Sequence, residues 1–336
     1  MEIPSEVVEA KRLVEFDILA LPGVVGVGLG MREEDGELFD ELAAVVYVED
    51  ATQVPEGLPQ EIGGVGVCVV ERSVEPFGFP DTARYSDVRG GIAILRPSMR
   101  APGTLGAVVV DTQSSERFGL TCYHVVGDPP ELPGDSFPDS VWQPNNPPLT
   151  HSPPPPKTDN LGEVARVTFP QDHPLPDSPV VVGLVDAALV QLDVAANFGQ
   201  RLPSPAIADQ GIGQPNLVDS VTDISDLNFS LPHPVRKRGQ VTGPTHGRLV
   251  TRFLTLSWPD GGKNAYIMEQ GMVEGDDIFG QPGDSGALVL DETSPTALGV
   301  LWGGNPPEAK SPRGKFCYFS EILNVQAQLG FSTVWP

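Results

Sequence analysis

From about Asp87 onward the chain is a succession of short apolar runs separated by turn clusters. The runs fall at residues 91–95, 106–110, 119–126, 164–169, 180–192, 248–257, 287–290 and 298–302. Many short runs punctuated in this way are strands of a barrel or sandwich, not helices of a bundle. The 37 glycines and 36 prolines point the same way, because both residues serve turns and break helices. The expected fold class is therefore mainly β. At 336 residues, two domains is the natural expectation, with enough chain for at least one sizeable core.

The first eighty residues read differently. Residues 5–21 have helical spacing, with Val7, Ala10, Val14, Ile18 and Leu21 on one face. Ser5 is placed to cap the helix and Pro22-Gly23 to stop it. Strands are expected at 24–29, 42–48 and 65–70, with Glu34-Asp35-Gly36 as a hairpin turn. This defines a small α/β domain over residues 1–80, ahead of a β domain over 81–336. The run Gly26-Val27-Gly28-Leu29-Gly30 is not a dinucleotide fingerprint, since a charged turn follows it and no helix N-terminus is there to take a pyrophosphate. Its glycines share one strand face, where a helix is expected to approach closely. Residues 128–160 form a Pro-rich insertion containing Pro153-Pro154-Pro155-Pro156, read as a solvated polyproline loop. Residues 320–329 read as a final helix, capped by Ser320 and ended by Gly330, with Ile322, Val325, Gln326 and Leu329 on one face.

The formal net charge is −24. Such a chain repels phosphate backbones and anionic bilayers, so neither nucleic acid nor membrane is an expected partner. The start of the chain has no signal-peptide pattern, and no stretch has transmembrane length without charge or proline. The three cysteines, Cys68, Cys122 and Cys317, are widely spaced and odd in number. They form neither a disulfide framework nor a metal spacing, and a reducing, cytoplasmic setting is expected.

Three positions carry chemistry. Ser285 sits within Gln281-Pro282-Gly283-Asp284-Ser285-Gly286. His124 ends the run Leu120-Thr121-Cys122-Tyr123-His124, and Asp186 is the one acid in a run of valines, leucines and alanines. Serine needs a base to take its proton. His124 is the candidate base, Asp186 would fix its tautomer, and Ser285 would attack a carbonyl. The backbone N–H groups of Gly283 and Ser285 would form the oxyanion hole. An acid buried among valines implies a partner, which makes Asp186 pointed; Asp193 and Asp172 are weaker third members. The remaining histidines, His151, His173, His233 and His246, have no zinc-site spacing, so neither a metal nor another cofactor is expected.

Residues 88–330 resemble the trypsin-like serine peptidases. Leu120 to His124 stands where that family has Leu-Thr-Ala-Ala-His, Asp186-Ala187-Ala188-Leu189 where it has Asp-Ile-Ala-Leu, and Gly283-Asp284-Ser285-Gly286 is similar to its nucleophile loop. Leu301-Trp302-Gly303 resembles its Ser-Trp-Gly strand, which implies a substrate-lining role for Leu301, Trp302 and Gly303. A resemblance over the whole chain is to the narrow-leaf-like peptidases of plants and bacteria. It rests on residues 21–28, Arg89-Gly90-Gly91-Ile92, the segment 239–247 and the segment 283–289. These resemblances imply a chymotrypsin-like double β-barrel with an α/β extension, serine endopeptidase activity and a protein or peptide substrate. Phe279 stands six positions before the nucleophile, where trypsins carry the specificity Asp. That implies a shallow apolar pocket, although Asp276 and Asp277 leave a basic preference open. Arg89-Gly90-Gly91-Ile92 is also similar to a zymogen cleavage site whose freed amine would pair with Asp284; an uncleaved strand entry is the simpler reading. The contrasting function is a latent or inactive protease-fold scaffold for protein interactions. The appended domain is compatible with a homo-oligomer.

Overall fold

The computed structural model describes residues 3–34, 36–72, 85, 87–96, 102–127, 140–143, 159–169, 171–175, 178–192, 202–208, 216–218, 221–223, 229–260, 263–305 and 314–334. The chain is mainly β, as the runs predict, and its strands close two rings. In the first, pairing proceeds through Ser140–Trp142, Asn160–Thr168, Ala187–Leu192, Arg117–Thr121 and Ala107–Asp111. Ala107–Asp111 continues Gly103–Leu105, which pairs with Ile92–Ile94. Leu95 then exchanges backbone bonds of 3.0 and 2.8 Å with Trp142, which closes the barrel. In the second ring the order is Lys263–Gly275, Phe316–Glu321, Ala297–Gly304, Leu288–Asp291, His233–Gly239, Gly243–Asp260 and back to Lys263–Gly275. Closure leaves these rings without free edges.

The strand Gly243–Asp260 is too long for its barrel. His233–Gly239 pairs with its first part, residues 243–249, and Val24–Glu34 takes over along residues 251–256. Val24–Glu34 and Glu37–Val48 form the expected hairpin, with Glu34 opposite Glu37 and Gly36 at φ 82° in the turn. Val65–Glu71 adds in parallel. The sheet of the amino-terminal module is thus continuous with the second barrel. Its two faces divide by strand alternation. Ala43, Val45 and Tyr47 join the barrel core, while Ala44, Val46 and Val48 pack with Val7, Ile18 and Leu19 of the helix Ser5–Leu19.

Several local expectations are corrected. The close approach to Gly28 comes from the long strand, not from a helix: a Cβ there would meet Thr251 at 2.7 Å. Pro4, not Ser5, is the N-cap, and the Ser5 hydroxyl bonds Glu6 instead. The helix buries Lys11 and Glu15 beside its apolar residues, because Thr255 on the long strand bonds both. The run at 119–126 is not all strand; the chain turns into a short helix, Tyr123–Val126. The run at 180–192 is broken at Leu184–Asp186 into two strands. The final helix is Ile322–Leu329, capped by Glu321, while Ser320 belongs to the strand Phe316–Glu321. Gly330 ends it at φ 70°, in the left-handed region expected of it. Nearly all of the Pro-rich insertion, His151 and Asp193 lie outside the described residues. Among the described residues, no helix is long and apolar enough to cross a membrane, and Cys68, Cys122 and Cys317 are free thiols.

Candidate active site

Strand register brings His124 and Asp186 together. Thr121 lies opposite Ala188 where Arg117–Thr121 pairs with Ala187–Leu192. Asp186 precedes one strand and His124 follows the other, so both emerge at the same end of the first barrel. The carboxylate takes two bonds from the histidine: the backbone N–H at 3.2 Å and Nδ1 at 2.5 Å. This pairing places the proton on Nδ1 and leaves Nε2 as the acceptor. Nε2 is itself buried and makes no hydrogen bond among the described residues. Burial alone pushes the His124 pKa down, but the charge and hydrogen bond of Asp186 outweigh it and the net shift is upward.

Ser285 comes from the second barrel, in the turn ahead of Leu288–Asp291. The seam between the barrels is stitched around it. Thr104 N–H donates to the Ser285 carbonyl at 2.7 Å and Thr104 Oγ1 donates to the Gly283 carbonyl at 2.8 Å, while within the second barrel Gly286 N–H donates to the Leu301 carbonyl at 2.7 Å. Gly286 has φ 96°, and a Cβ there would lie 2.1 Å from the Thr104 carbonyl oxygen, so only glycine fits. Gly283 is likewise left-handed at φ 100°. Among the described residues nothing accepts the N–H of Gly283 or Ser285. The two donors expected to face an oxyanion are thus unengaged.

The Ser285 hydroxyl does not point to His124. It donates to the Trp302 carbonyl at 3.1 Å, and the whole residue is buried. Of the expected lining residues, Phe279 and Leu301 are fully buried and Trp302 nearly so. Phe279 packs in the barrel core with Lys237 Nζ 5.7 Å from its ring centroid, so its side chain offers no open pocket. Trp302 stacks on Tyr318, and Gly303 is buried in the same strand.

Asp284 shows what sequence reasoning missed. Its carboxylate accepts from Val241 N–H at 2.8 Å, Thr242 N–H at 3.2 Å, Thr242 Oγ1 at 2.6 Å, Gln281 N–H at 3.0 Å and Lys237 Nζ at 3.3 Å. Lys237 and Asp284 are both fully buried. Burial pushes the Lys237 pKa down, against the upward pull of Asp284. An internal ammonium already occupies the place that a zymogen reading reserves for a freed amine. The sequence hid this role, because Lys237 sits between Arg236 and Arg238 in the basic strand His233–Gly239.

Cys122 Sγ, a His124 nitrogen and an Asp186 oxygen lie within 4.8 Å of one another, the one group among the described residues with metal-ligand potential. The thiol is raised well above its ordinary pKa, by burial first and then by Asp186, and it donates to the Leu301 carbonyl at 3.1 Å. His124 Nδ1 and Asp186 are already bonded to each other.

The arrangement is a carboxylate–imidazole pair on one barrel and a glycine-flanked serine on the next, joined across the seam. No protein-family model matches the chain, and no curated protein matches it in sequence. Solved structures do resemble it. Thermobifida fusca protease A has a TM-score of 0.47 at 17% identity, covering 74% of this chain and 100% of that one. Nocardiopsis protease has a TM-score of 0.46 at 19% identity, covering 73% and 98%. A glutamic acid-specific serine protease has a TM-score of 0.48 at 14% identity, covering 74% and 100%. At such scores the likenesses stand beside the strand order and add nothing about chemistry.

Proposed function

We propose that the chain is a serine endopeptidase using His124, Asp186 and Ser285. The carrying observation is the 2.5 Å bond from His124 Nδ1 to Asp186, with Nε2 buried, unengaged and left as the acceptor. In this reading Ser285 leaves the Trp302 carbonyl by a side-chain rotation, and its Oγ gives its proton to Nε2 as it attacks the substrate carbonyl. Asp186 stabilises the imidazolium, and the Gly283 and Ser285 N–H groups receive the oxyanion. Nε2 then returns the proton to the leaving amine, and water hydrolyses the acyl-enzyme by the same route. The substrate is a protein or peptide, the setting is cytoplasmic, and residues 1–80 form an accessory unit on the second barrel, compatible with self-association.

A second reading is a latent barrel that serves as an interaction scaffold. Its support is specific: Ser285 is fully buried and bonded away from the base. Labelling with a fluorophosphonate, mapped by peptide mass spectrometry, separates the two. An adduct on Ser285 that disappears in His124→Ala supports the peptidase. No adduct from pH 6 to 9 favours the scaffold.

A further inference from the structure

Gln270 lies fully buried in the strand Lys263–Gly275, directly opposite Ser320. Its side-chain amide is saturated. Nε2 donates to the Leu184 carbonyl at 2.8 Å and the Met268 carbonyl at 2.5 Å. Oε1 accepts from the Trp302 indole at 2.8 Å and from Ser320 Oγ at 3.0 Å. An indole N–H can only donate and a carbonyl can only accept, so the amide has one consistent orientation. Ser320 Oγ in turn accepts the backbone N–H of Asp186 at 3.2 Å. The segment carrying Asp186 is thus gripped at the Leu184 carbonyl and at its own N–H, and the same amide holds Trp302. The backbone is distorted to allow this. Leu254 pairs with Gln270 and Leu256 with Ile267, so an extra residue bulges beside Gln270, and the adjacent Glu269 is left-handed at φ 58°. Bulges re-aim side chains beside functional sites, and a non-glycine residue held left-handed is strain the surroundings must maintain.

We propose that Gln270 is a positioning residue that locks the triad acid and the Trp302 strand into one frame, so that substrate docking and base strength depend on a single buried amide. This deepens the peptidase reading and rests on it. Gln270 touches no reacting atom and acts through Asp186 and Trp302. Beside burial, Asp186 is the group that moves the His124 pKa, and the neighbouring Cys122 thiol is pushed up, so it stays protonated. The pH response of the base therefore reports how firmly Asp186 is held.

The test uses the full-length protein and a saturable peptidyl phosphonate ester that modifies Ser285, with KI reporting docking and the limiting inactivation rate reporting the triad. Gln270→Met, which keeps the packing volume, should raise KI and lower the limiting rate, each by about tenfold. Ser320→Ala should lower the rate by about tenfold while leaving KI near wild type, since it frees Asp186 but not the indole. In both variants the acidic limb of the pH–rate profile should move down, because a loosened carboxylate supports the imidazolium less. Lowered melting temperatures with KI, rate and pH limb unchanged would overturn the proposal and leave a merely structural amide. Should Gln270→Met fail to fold, the milder Ser320→Ala decides by its pH limb. Should the wild type not react at all, the peptidase reading fails. The frame is then tested by the Trp302 indole N–H resonance, which must shift in Gln270→Met; an unmoved resonance refutes it.

Discussion

Among the described residues, two histidine–aspartate pairs have nearly equal length. His124 meets Asp186 through Nδ1 at 2.5 Å, and His233 meets Asp291 through Nε2 at 2.6 Å. Their settings differ. Asp291 also closes a turn, accepting the N–H groups of Thr293 and Ser294 and both their hydroxyls, and His233 stacks on Phe229. Burial would raise the Asp291 pKa, but the Thr293 bonds, with those from His233 and Ser294, hold it down at about 2. The Asp186 carboxylate, by contrast, receives only the two bonds of His124 among the described residues. A short bond between these residue types therefore marks no active site by itself. The nitrogen left over, and what lies across the seam from it, makes the difference.

That contrast can be broken at graded cost. Ser285→Ala should abolish phosphonate labelling, and Asp186→Asn should slow it by about four decades, because the asparagine amide favours the wrong imidazole tautomer; the same change at Asp291 should leave the labelling rate within about twofold. Near wild-type labelling in Asp186→Asn would mean that another acid orients His124. Lys237→Met strands the buried Asp284 carboxylate beneath the nucleophile turn and should cost about 3–5 kcal/mol of stability in chemical denaturation. Asp291→Asn should cost no more than about 2 kcal/mol at neutral pH. Since the folded-state Asp291 pKa is depressed, its contribution is present above the ordinary carboxylate pKa and disappears as pH falls towards about 2. A stability difference that persists in strong acid would contradict this. The smallest effect is a shift of the acidic limb. His124 is active as the neutral base and its pKa is raised, so the rate should be lost as pH falls through a midpoint above the ordinary imidazole value of about 6.5. A midpoint below that value would show Asp186 to be too loosely held.

The residues named for the candidate site stood out because each carries an anomaly that short-range patterns expose: an acid among valines, a serine in a Gly-Asp-Ser-Gly turn, a histidine ending an apolar run. The β class was legible from the spacing of turns. What supports them was not. Lys11 and Glu15 look like a solvent-facing i,i+4 pair, and only the long strand, by supplying Thr255, turns them inward. Ser320 has the residue type of a helix cap, and only pairing with Gln270 reveals it as a strand residue holding Asp186. Gln270 carried no sequence signal, because a polar residue near the middle of a strand reads as one facing water. Each of these depends on a partner at least fifty positions away, which no local window contains.

The shared strand Gly243–Asp260 also bears on how the chain is made. Val24–Glu34 leaves the ribosome well before its ladder partners, such as Leu256 opposite Gly26, which follow roughly 230 residues later. At ordinary translation speeds the amino-terminal hairpin waits on the order of tens of seconds with one edge and one apolar face uncovered. That edge stays open until residues 251–256 have been made, and the second barrel is what finally covers it.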